Sequence, residues 1–235
     1  MKILTSILLF LLAIPVFAQN QDEQLAAQYY QNEEFDKAVE LYKRLHRRNH
    51  QSIYLYNNYL NSLIQLKDWD EAKKMLKKQR KRYPTKYLFS VDLAHIHHLS
   101  GDDKTADKII SESQRRVPPS YSAYLDLAHA LINREYTEAA ISTYLKGRRV
   151  LNDQEIFAEE LINIYYDEGQ NRDVINECLN LLRWSPDNLS MVKQKLIYLV
   201  DQDKEIPYLQ ERTLLLLQKF PDLMVYDELL MWVYL

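Results

Sequence analysis

A spacing of 34 residues recurs along this chain and limits what it can fold into more than any other feature. Small residues form one column at that spacing: Ala38, Ala72, Ala106 and Ala140, continued by Val174. Two further columns are apolar: Leu25, Tyr59, Leu93, Leu127 and Leu161 in one, and Ala26, Leu60, Ala94, Ala128 and Ile162 in the other. Pro84 and Pro118 are also 34 residues apart. Because independent columns share one period, we interpret the chain as an array of structural repeats.

Each repeat is predicted to contain two helices. A stretch such as YLFSVDLAHIHHL has apolar residues at helical spacing over about three and a half turns. A polar break such as LSGDD follows, and Asp36 and Asp70 stand where second helices are expected to begin. Proline then ends the unit in several repeats because it cannot continue a helix. Such a hairpin cannot bury its own apolar face, so we expect neighbouring hairpins to stack.

These repeats resemble the tetratricopeptide repeat family. The resemblance is carried by LAAQYY…DKAVELY, by DLAHIHH…KTADKII with Pro118, and by DLAHALI…YTEAAISTY. It implies an all-α fold, an α–α superhelix built as a right-handed solenoid of 34-residue helix–turn–helix hairpins. We expect six hairpins, with the approximate bounds 19–52, 53–86, 87–120, 121–154, 155–188 and 189–222.

Residues 223–235 look like the first helix of an incomplete seventh hairpin. Solenoids normally end on a polar capping helix, yet this segment is apolar, with Leu229, Leu230, Trp232, Val233 and Leu235 at an open end. An uncapped apolar end favours association. We therefore expect either that the chain is part of a longer array or that its end packs on a partner chain, which includes an oligomer.

The first 18 residues have the layout of a secretory signal peptide. Lys2 supplies a positive charge, an apolar stretch follows, and small residues precede an expected cut between Ala18 and Gln19. Together with the family resemblance, this predicts an exported protein of the bacterial periplasm. Cys178 is the one cysteine, so no disulfide can form within the chain, and we expect it in the core.

In tetratricopeptide repeats the first helix of each hairpin lines a concave groove. This resemblance assigns a ladder of amide, imidazole, carboxylate and aromatic side chains to the groove: Asn58, Asn61, Asp92, His95, His98, Asp126, His129, Glu160, Asn163 and Tyr166. Amides and imidazoles can form hydrogen bonds with a peptide backbone, while aromatic neighbours hold side chains. The expected partner is therefore a protein or peptide segment.

Three histidines in AHIHHLSG raise the question of a metal site. His95 and His98 share one helix face, and His129 lies one repeat after His95. His97 belongs to the predicted core column. Neighbouring first helices lie about 10 Å apart, whereas zinc requires ligands at about 2 Å. We therefore predict no metal and no cofactor, and keep His95, His98 and His129 as weak metal-ligand candidates.

A second feature outside the groove is a run of positive charge in KKMLKKQRKR. Its members are Lys73, Lys74, Lys77, Lys78, Arg80, Lys81 and Arg82, hereafter the basic patch. Such a run is typical of a solvated outer helix face. It also suits contact with anionic lipid, a cell-wall polymer or an acidic protein. Nucleic acid is disfavoured as a partner because of the export signal.

The function predicted from these features is a non-enzymatic scaffold of the bacterial cell envelope that binds a peptide or protein segment in its groove. Three glycines in 235 residues exclude a glycine-rich phosphate loop, and no serine-hydrolase, zinc-protease or paired-cysteine motif is present. Two alternatives remain. One is an envelope tether that uses the basic patch, and the other is a metal-binding protein that uses the groove histidines.

Overall fold

The computed structural model describes residues 21–200 and 205–234. Within these ranges the chain is all α-helix, apart from turns and one short 3-10 helix, and consecutive helices pair as hairpins. The predicted fold class, an all-α solenoid of helical hairpins, is confirmed. The predicted signal peptide lies outside the described residues. Among the residues that are described, no helix combines the length and the apolar character needed to cross a bilayer.

The chain divides into two compact units, and the division falls between Ile109 and Ile110. In unit 1 the described helices are α1 (21–31), α2 (Phe35–Arg48), α3 (Ile53–Gln65), α4 (Trp69–Arg82), α5 (Leu88–Leu99) and the first half of α6 (Asp103–Arg115). Helix α2 packs against α3, α3 against α4, and α4 against α5. Helices α3 and α4 are therefore each packed between their two neighbours along the chain, as hairpin stacking requires.

Unit 2 continues the same pattern. Its helices are α7 (Tyr121–Ile132), α8 (Thr137–Leu151), α9 (Ala158–Asp167), α10 (Asn171–Trp184), α11 (Leu189–Val200), α12 (Ile206–Lys219) and α13 (Val225–Tyr234), with a 3-10 turn at Pro186–Asn188. Helices α7 to α10 pack in sequence. Helix α10 also contacts α11 and α12, and α13 packs against both of these helices.

The columns found at 34-residue spacing form the core. The small-residue column is buried throughout: Ala38, Ala72, Ala106, Ala140 and Val174. The column Ala26, Leu60, Ala94, Ala128 and Ile162 is buried as well. In the remaining apolar column Tyr59, Leu93, Leu127 and Leu161 are buried, whereas Leu25 is more than a third exposed. Cys178 is fully buried, as predicted. Small side chains at these positions let paired helices approach closely.

The turns inside the first five hairpins repeat with the same period. Residues at positions 33, 67, 101, 135 and 169 all adopt a positive φ between 55° and 81°, and they are Glu33, Lys67, Gly101, Glu135 and Gly169. At each turn the next N–H bonds to the carbonyl five residues earlier, as from Asp102 to His97 at 2.8 Å. This is the Schellman motif, which satisfies the last carbonyls of a helix. Each of these five turns thus contains one left-handed residue at an equivalent position.

Candidate functional site

The first-helix face of unit 1 is formed by α3 and α5, and its polar side chains are partly engaged with the protein itself. Asn58 donates a hydrogen bond to its own helix at Tyr54 O, at 2.9 Å. Asn61 and His95 are half-buried. His98 is exposed, and its Nδ1 is hydrogen-bonded to Asp103 at the start of α6. Asn61, His95 and His98 therefore present polar atoms at or near the surface of this unit.

Asp92 differs from the other residues predicted for the groove. Its side chain is 1% exposed and accepts a hydrogen bond from the hydroxyl of Tyr56 on α3. The ring of Tyr56 in turn packs edge-on against Phe89 of α5, with the centroids 4.9 Å apart. Asp92 thus holds α3 and α5 together beneath the surface.

The first-helix face of unit 2 is formed by α7, α9 and α11, and it is more open. Asp126, His129, Asn163 and Tyr166 are exposed, and Glu160 is half-buried. Large apolar side chains on the same helices are also exposed: Tyr121, Ile132, Tyr166 and Ile197, at 37–47%. Lys195 of α11 donates to Asn163 Oδ1 at 2.8 Å, so the faces of α9 and α11 are in contact. The surface alternates apolar and hydrogen-bonding groups.

A recess of about 390 Å³ lies where α7 meets the start of α9. The rings of Tyr121 and Phe157 stack there with centroids 4.8 Å apart. Three carboxylates line the recess, from Glu155, Glu159 and Glu160. Burial, and then the nearby Glu160, raise the pKa of Tyr121. The recess therefore has an aromatic wall and a negative rim.

The histidines do not gather at one point. His97 is nearly buried, and its Nδ1 is hydrogen-bonded to Asp102 Oδ2 at 3.0 Å. The hydrogen bond with Thr105, and then that with His97, hold the pKa of Asp102 below its usual value. Within 21–200 and 205–234, no three His, Cys, Asp or Glu side chains converge where a metal ion could bind. His95, His98 and His129 therefore do not form such a group with other described residues.

The basic patch lies on α4, and its side chains point in several directions. Lys73 donates to Ser100 Oγ at 2.8 Å, towards the turn after α5. Lys77 is exposed, and Arg80 is half-buried. The other four patch residues turn towards α2 and line a recess of about 520 Å³: Lys74, Lys78, Lys81 and Arg82. The patch is thus divided between an outer surface and a concave site.

This recess, hereafter the basic recess, is formed by α2, α4 and Tyr59 of α3. Its remaining lining residues are Lys43, His46, Arg47, His50, Glu71, Met75 and Gln79. The contribution of α2 was missed by the sequence reasoning, which treated KKMLKKQRKR as one linear run. A signal was present, however, because Arg47 and Lys81 are 34 residues apart and so occupy equivalent positions in consecutive repeats.

Glu71 is the one acidic residue in the lining, and its charge is already compensated. Its carboxylate is paired with Lys43 at 2.8 Å and accepts a hydrogen bond from the Tyr59 hydroxyl at 3.0 Å. Burial by itself would raise the pKa of Glu71, but the contacts with Lys43 and Tyr59 outweigh it and hold the pKa below its usual value. Glu71 therefore remains ionised and neutralises Lys43 rather than the rest of the recess.

The floor of the basic recess consists of two buried polar side chains, His46 and Gln79. Their Nε2 atoms are in contact, and Gln79 Nε2 also donates to His50 O at 3.3 Å. Burial, followed by the nearby His50 and Arg82, lowers the pKa of His46 to about 4. The imidazole is therefore neutral near pH 7, and the positive charge of the recess comes from lysine and arginine.

Comparisons with known proteins find similar chains among solved structures. No family model matches the chain, and no curated protein matches it. Among solved structures, a thermophilic TPR protein of Thermus thermophilus is 16% identical, over 76% of this chain and 99% of that one, with a TM-score of 0.36. The C-terminal part of a TPR repeat-containing protein from Cytophaga hutchinsonii is 19% identical, over 90% and 87%, with a TM-score of 0.34.

A third similar structure is the TPR2AB domain of yeast Sti1, solved as a complex with pHSP90. It is 12% identical, over 93% of this chain and 99% of that one, with a TM-score of 0.31. The hairpin-repeat fold of the present chain rests on its own helix pairs and on their 34-residue spacing.

Proposed function

We propose that this protein is a non-enzymatic scaffold that binds a peptide or an extended protein segment on its first-helix face. The observation that carries the proposal is the composition of that face in unit 2. Tyr121, Ile132, Tyr166 and Ile197 are exposed between amide, imidazole and carboxylate groups. Exposed aromatic and aliphatic side chains next to hydrogen-bonding groups are typical of binding surfaces, because one set holds side chains and the other set orients the backbone.

The rigid support of this face favours the same function. The side chains project from helices whose opposite faces are fully buried, through Leu127 and Ala128 on α7 and through Leu161 and Ile162 on α9. A surface held in place before binding loses little conformational entropy on binding. In unit 1 we propose Asn58, Asn61, His95 and His98 as contacts. Asp92 supports them from below.

The test is site-specific photo-crosslinking in intact cells. A photoreactive residue at His129, Asn163 or Tyr166 should form crosslinks to a protein partner, whereas one at Arg149 or Asn180, exposed on second helices, should form few. Comparable crosslinking at both sets of positions would contradict the proposal. Replacing Asn61, His95, His129 and Asn163 by alanine should then abolish capture of that partner and leave the helical circular dichroism unchanged.

We further propose that the protein is exported and acts in the bacterial cell envelope. The support is the signal-peptide pattern of residues 1–18. Release by osmotic shock, with an N-terminus at Gln19, is the expected result. A chain that retains Met1 in the cytoplasmic fraction would contradict the location without affecting the assignment of the binding face.

A second candidate function is an envelope tether. The observation that favours it is the exposure of the patch residues Lys74, Lys77, Lys78, Lys81 and Arg82 on α4. Binding to anionic vesicles or cell-wall material should weaken steeply with ionic strength, because exposed charges are screened by salt. Sedimentation over a salt series measures this effect, and binding that is insensitive to salt would contradict a tether.

A further inference from the structure

The basic recess combines positive charges from two helices. Arg47 on α2 lies across from Lys78, Lys81 and Arg82 on α4, and these residues line one cavity of about 520 Å³. Lys43 and Lys74 add two more cations, while Glu71 is the one carboxylate in the lining. Cations gathered in a concave site produce a focused positive potential that raises the local concentration of anions.

The facing cations lack compensating groups in the protein. In the described part of the chain, no hydrogen bond or ion pair engages the side chains of Arg47, Lys78, Lys81 and Arg82. Glu71 is already shared by Lys43, Tyr59 and, at 3.8 Å, Lys74. Like charges held close together repel. An anion in the recess would relieve that repulsion and would meet donors from both walls.

The recess also has a defined floor, which distinguishes it from a charged outer surface. Gln79 is 1% exposed, and its side-chain carbonyl oxygen accepts no hydrogen bond from the described residues. The ring of His46 is buried beside it. These groups give the cavity a fixed polar base between its two cationic walls.

We propose that the basic recess binds a ligand that carries two or more phosphoryl groups. The guanidinium groups of Arg47 and Arg82 can each bind two phosphoryl oxygens, while the lysines contribute compact charges. Two linked phosphoryl groups present more negative charge and more acceptor oxygens than a single small anion, and so suit a recess whose cations come from two helices. The volume lies in the range of cavities that hold small ligands. Apart from Tyr59, the recess is lined by α2, α4 and His50, which follows α2, whereas the proposed peptide-binding face lies on the first helices.

Pyrophosphate is the probe for this test, and the full chain is titrated with it by calorimetry. The wild-type protein should bind it saturably, with one molecule per chain. The double variant Arg47→Gln/Lys78→Gln removes one exposed cation from each wall. It should weaken binding about tenfold or more, since a hydrogen bond to a charged group contributes about 1.5–3 kcal/mol.

The charge-matched control is Lys77→Gln/Lys108→Gln, which removes two exposed cations outside the recess. It should change the affinity by about twofold or less, because exposed charges at a distance act weakly. Equal losses in the two double variants, or the absence of saturable binding in the wild-type protein, would overturn the proposal. Circular dichroism confirms that each variant is folded.

Two sources can supply this chemistry, and vesicles distinguish them. A phospholipid with two phosphate groups, such as cardiolipin, offers the ligand at a membrane surface, while pyrophosphate offers it in solution. The recess accepts the headgroup if three results are obtained together. The wild-type protein sediments with cardiolipin vesicles, the Arg47→Gln/Lys78→Gln variant does not, and pyrophosphate releases the wild-type protein from the vesicles. If vesicles sediment neither protein while pyrophosphate still binds, the recess takes a soluble ligand. The proposal would be overturned if the wild-type protein and the variant bound vesicles equally, pyrophosphate released neither, and calorimetry showed no binding of pyrophosphate.

Discussion

Arg148 and Glu177 form a buried, bidentate ion pair that joins α8 to α10 in unit 2. Both side chains are less than 10% exposed, and Arg148 Nη1 lies 3.1 Å from Glu177 Oε2. The Nε of Arg148 also donates to Ile156 O at 2.7 Å, which anchors the segment leading into α9. That segment carries Phe157, whose ring forms one wall of the recess lined by Glu155, Glu159 and Glu160. The ion pair therefore fixes the entry to the proposed binding face.

Removing one member of this pair should be costly. Arg148→Met leaves the Glu177 carboxylate buried without its cation, so we expect the free energy of unfolding to fall by about 3–5 kcal/mol. The double variant Arg148→Met/Glu177→Leu should lose much less than the sum of the two single variants, because it removes both charges. Urea denaturation gives the free energy of unfolding of the wild-type protein, Arg148→Met, Glu177→Leu and the double variant. Additive losses of less than about 1 kcal/mol each would show that the pair contributes little.

The turn residues allow a stabilising substitution. Lys67 has a φ of 55° and no hydrogen-bond partner for its side chain among the described residues, and Gly101 occupies the equivalent position one repeat later. A side chain at positive φ costs about 1–2 kcal/mol in a left-handed helix. Lys67→Gly should therefore raise the free energy of unfolding by about 1 kcal/mol.

The matched change is Gly101→Ala. A Cβ there meets no atom within 4 Å, so any loss comes from the backbone conformation alone. We expect about 1 kcal/mol of destabilisation, measured in the same urea titration. If Lys67→Gly raises the free energy of unfolding and Gly101→Ala lowers it, both turns require a left-handed residue. Changes of the same sign would contradict this.

Gly147 on α8 is required for close packing rather than for its backbone conformation. A Cβ at this position would lie 2.7 Å from Phe157 Cε2 and 3.0 Å from Tyr124 Cγ. Gly147→Ala should therefore lower the thermal unfolding midpoint through a loss of about 1–3 kcal/mol. Adding Phe157→Leu removes the ring atom that clashes and should recover part of the loss. Thermal melts of both single variants and the double variant test this, and a Gly147→Ala protein as stable as the wild type would refute the contact.

His46 should make the protein sensitive to mild acid. Its pKa is lowered from its ordinary value of 6.5 to about 4 by burial and then by His50 and Arg82, so the unfolded chain binds more protons in that interval. The contribution of the neutral imidazole to stability is complete above pH 6.5 and is lost as the pH falls towards 4, a loss of about 3 kcal/mol. His46→Gln, which can still accept a hydrogen bond from Gln79, should remove this part of the pH dependence.

The control for His46 is His129→Gln, since His129 is exposed on α7. Unfolding free energies of the three proteins are compared at several pH values between 4 and 7. As the pH falls from 7 to 4, the free energy of unfolding of the wild-type protein should decrease relative to that of His46→Gln. A constant difference would show that His46 does not contribute through its protonation.

Tyr56 and Asp92 provide a test of support beneath the unit 1 face. Tyr56→Phe deletes the hydroxyl that donates to the buried Asp92 carboxylate, and it should cost about 1–3 kcal/mol of stability. Tyr166→Phe removes an exposed hydroxyl and should change stability by less than about 0.5 kcal/mol. Chemical denaturation distinguishes the two variants. Equal losses of stability in the two variants would show that the hydrogen bond from Tyr56 to Asp92 does not stabilise the protein.

Much of the fold could be predicted because it follows from local pattern repeated at one period. Apolar residues at helical spacing indicate where helices form, and small residues at positions such as Ala72 and Ala106 indicate where paired helices approach. The buried columns follow the 34-residue register from repeat to repeat. The left-handed turn was less evident, since Glu or Lys occupies it in three repeats and glycine in two.

The candidate sites were predictable in part. The register assigned Asn163 and Tyr166 to the first helices, where they are exposed, but it could not show that Asp92 is buried against Tyr56. Burial depends on which neighbouring side chain fills the space above a position. Likewise, the basic run on α4 was evident, whereas the inward turn of Lys78 towards Arg47 on α2 was not.

The sequence by itself determined the helical hairpin, its 34-residue repeat and the residues of the core, because periodicity and residue size act over short distances along the chain. The tertiary structure decided which charges meet: Arg148 with Glu177, 29 residues apart, and Arg47 across from Lys78 in the basic recess. These relationships depend on distances between side chains of different helices, and packing sets those distances.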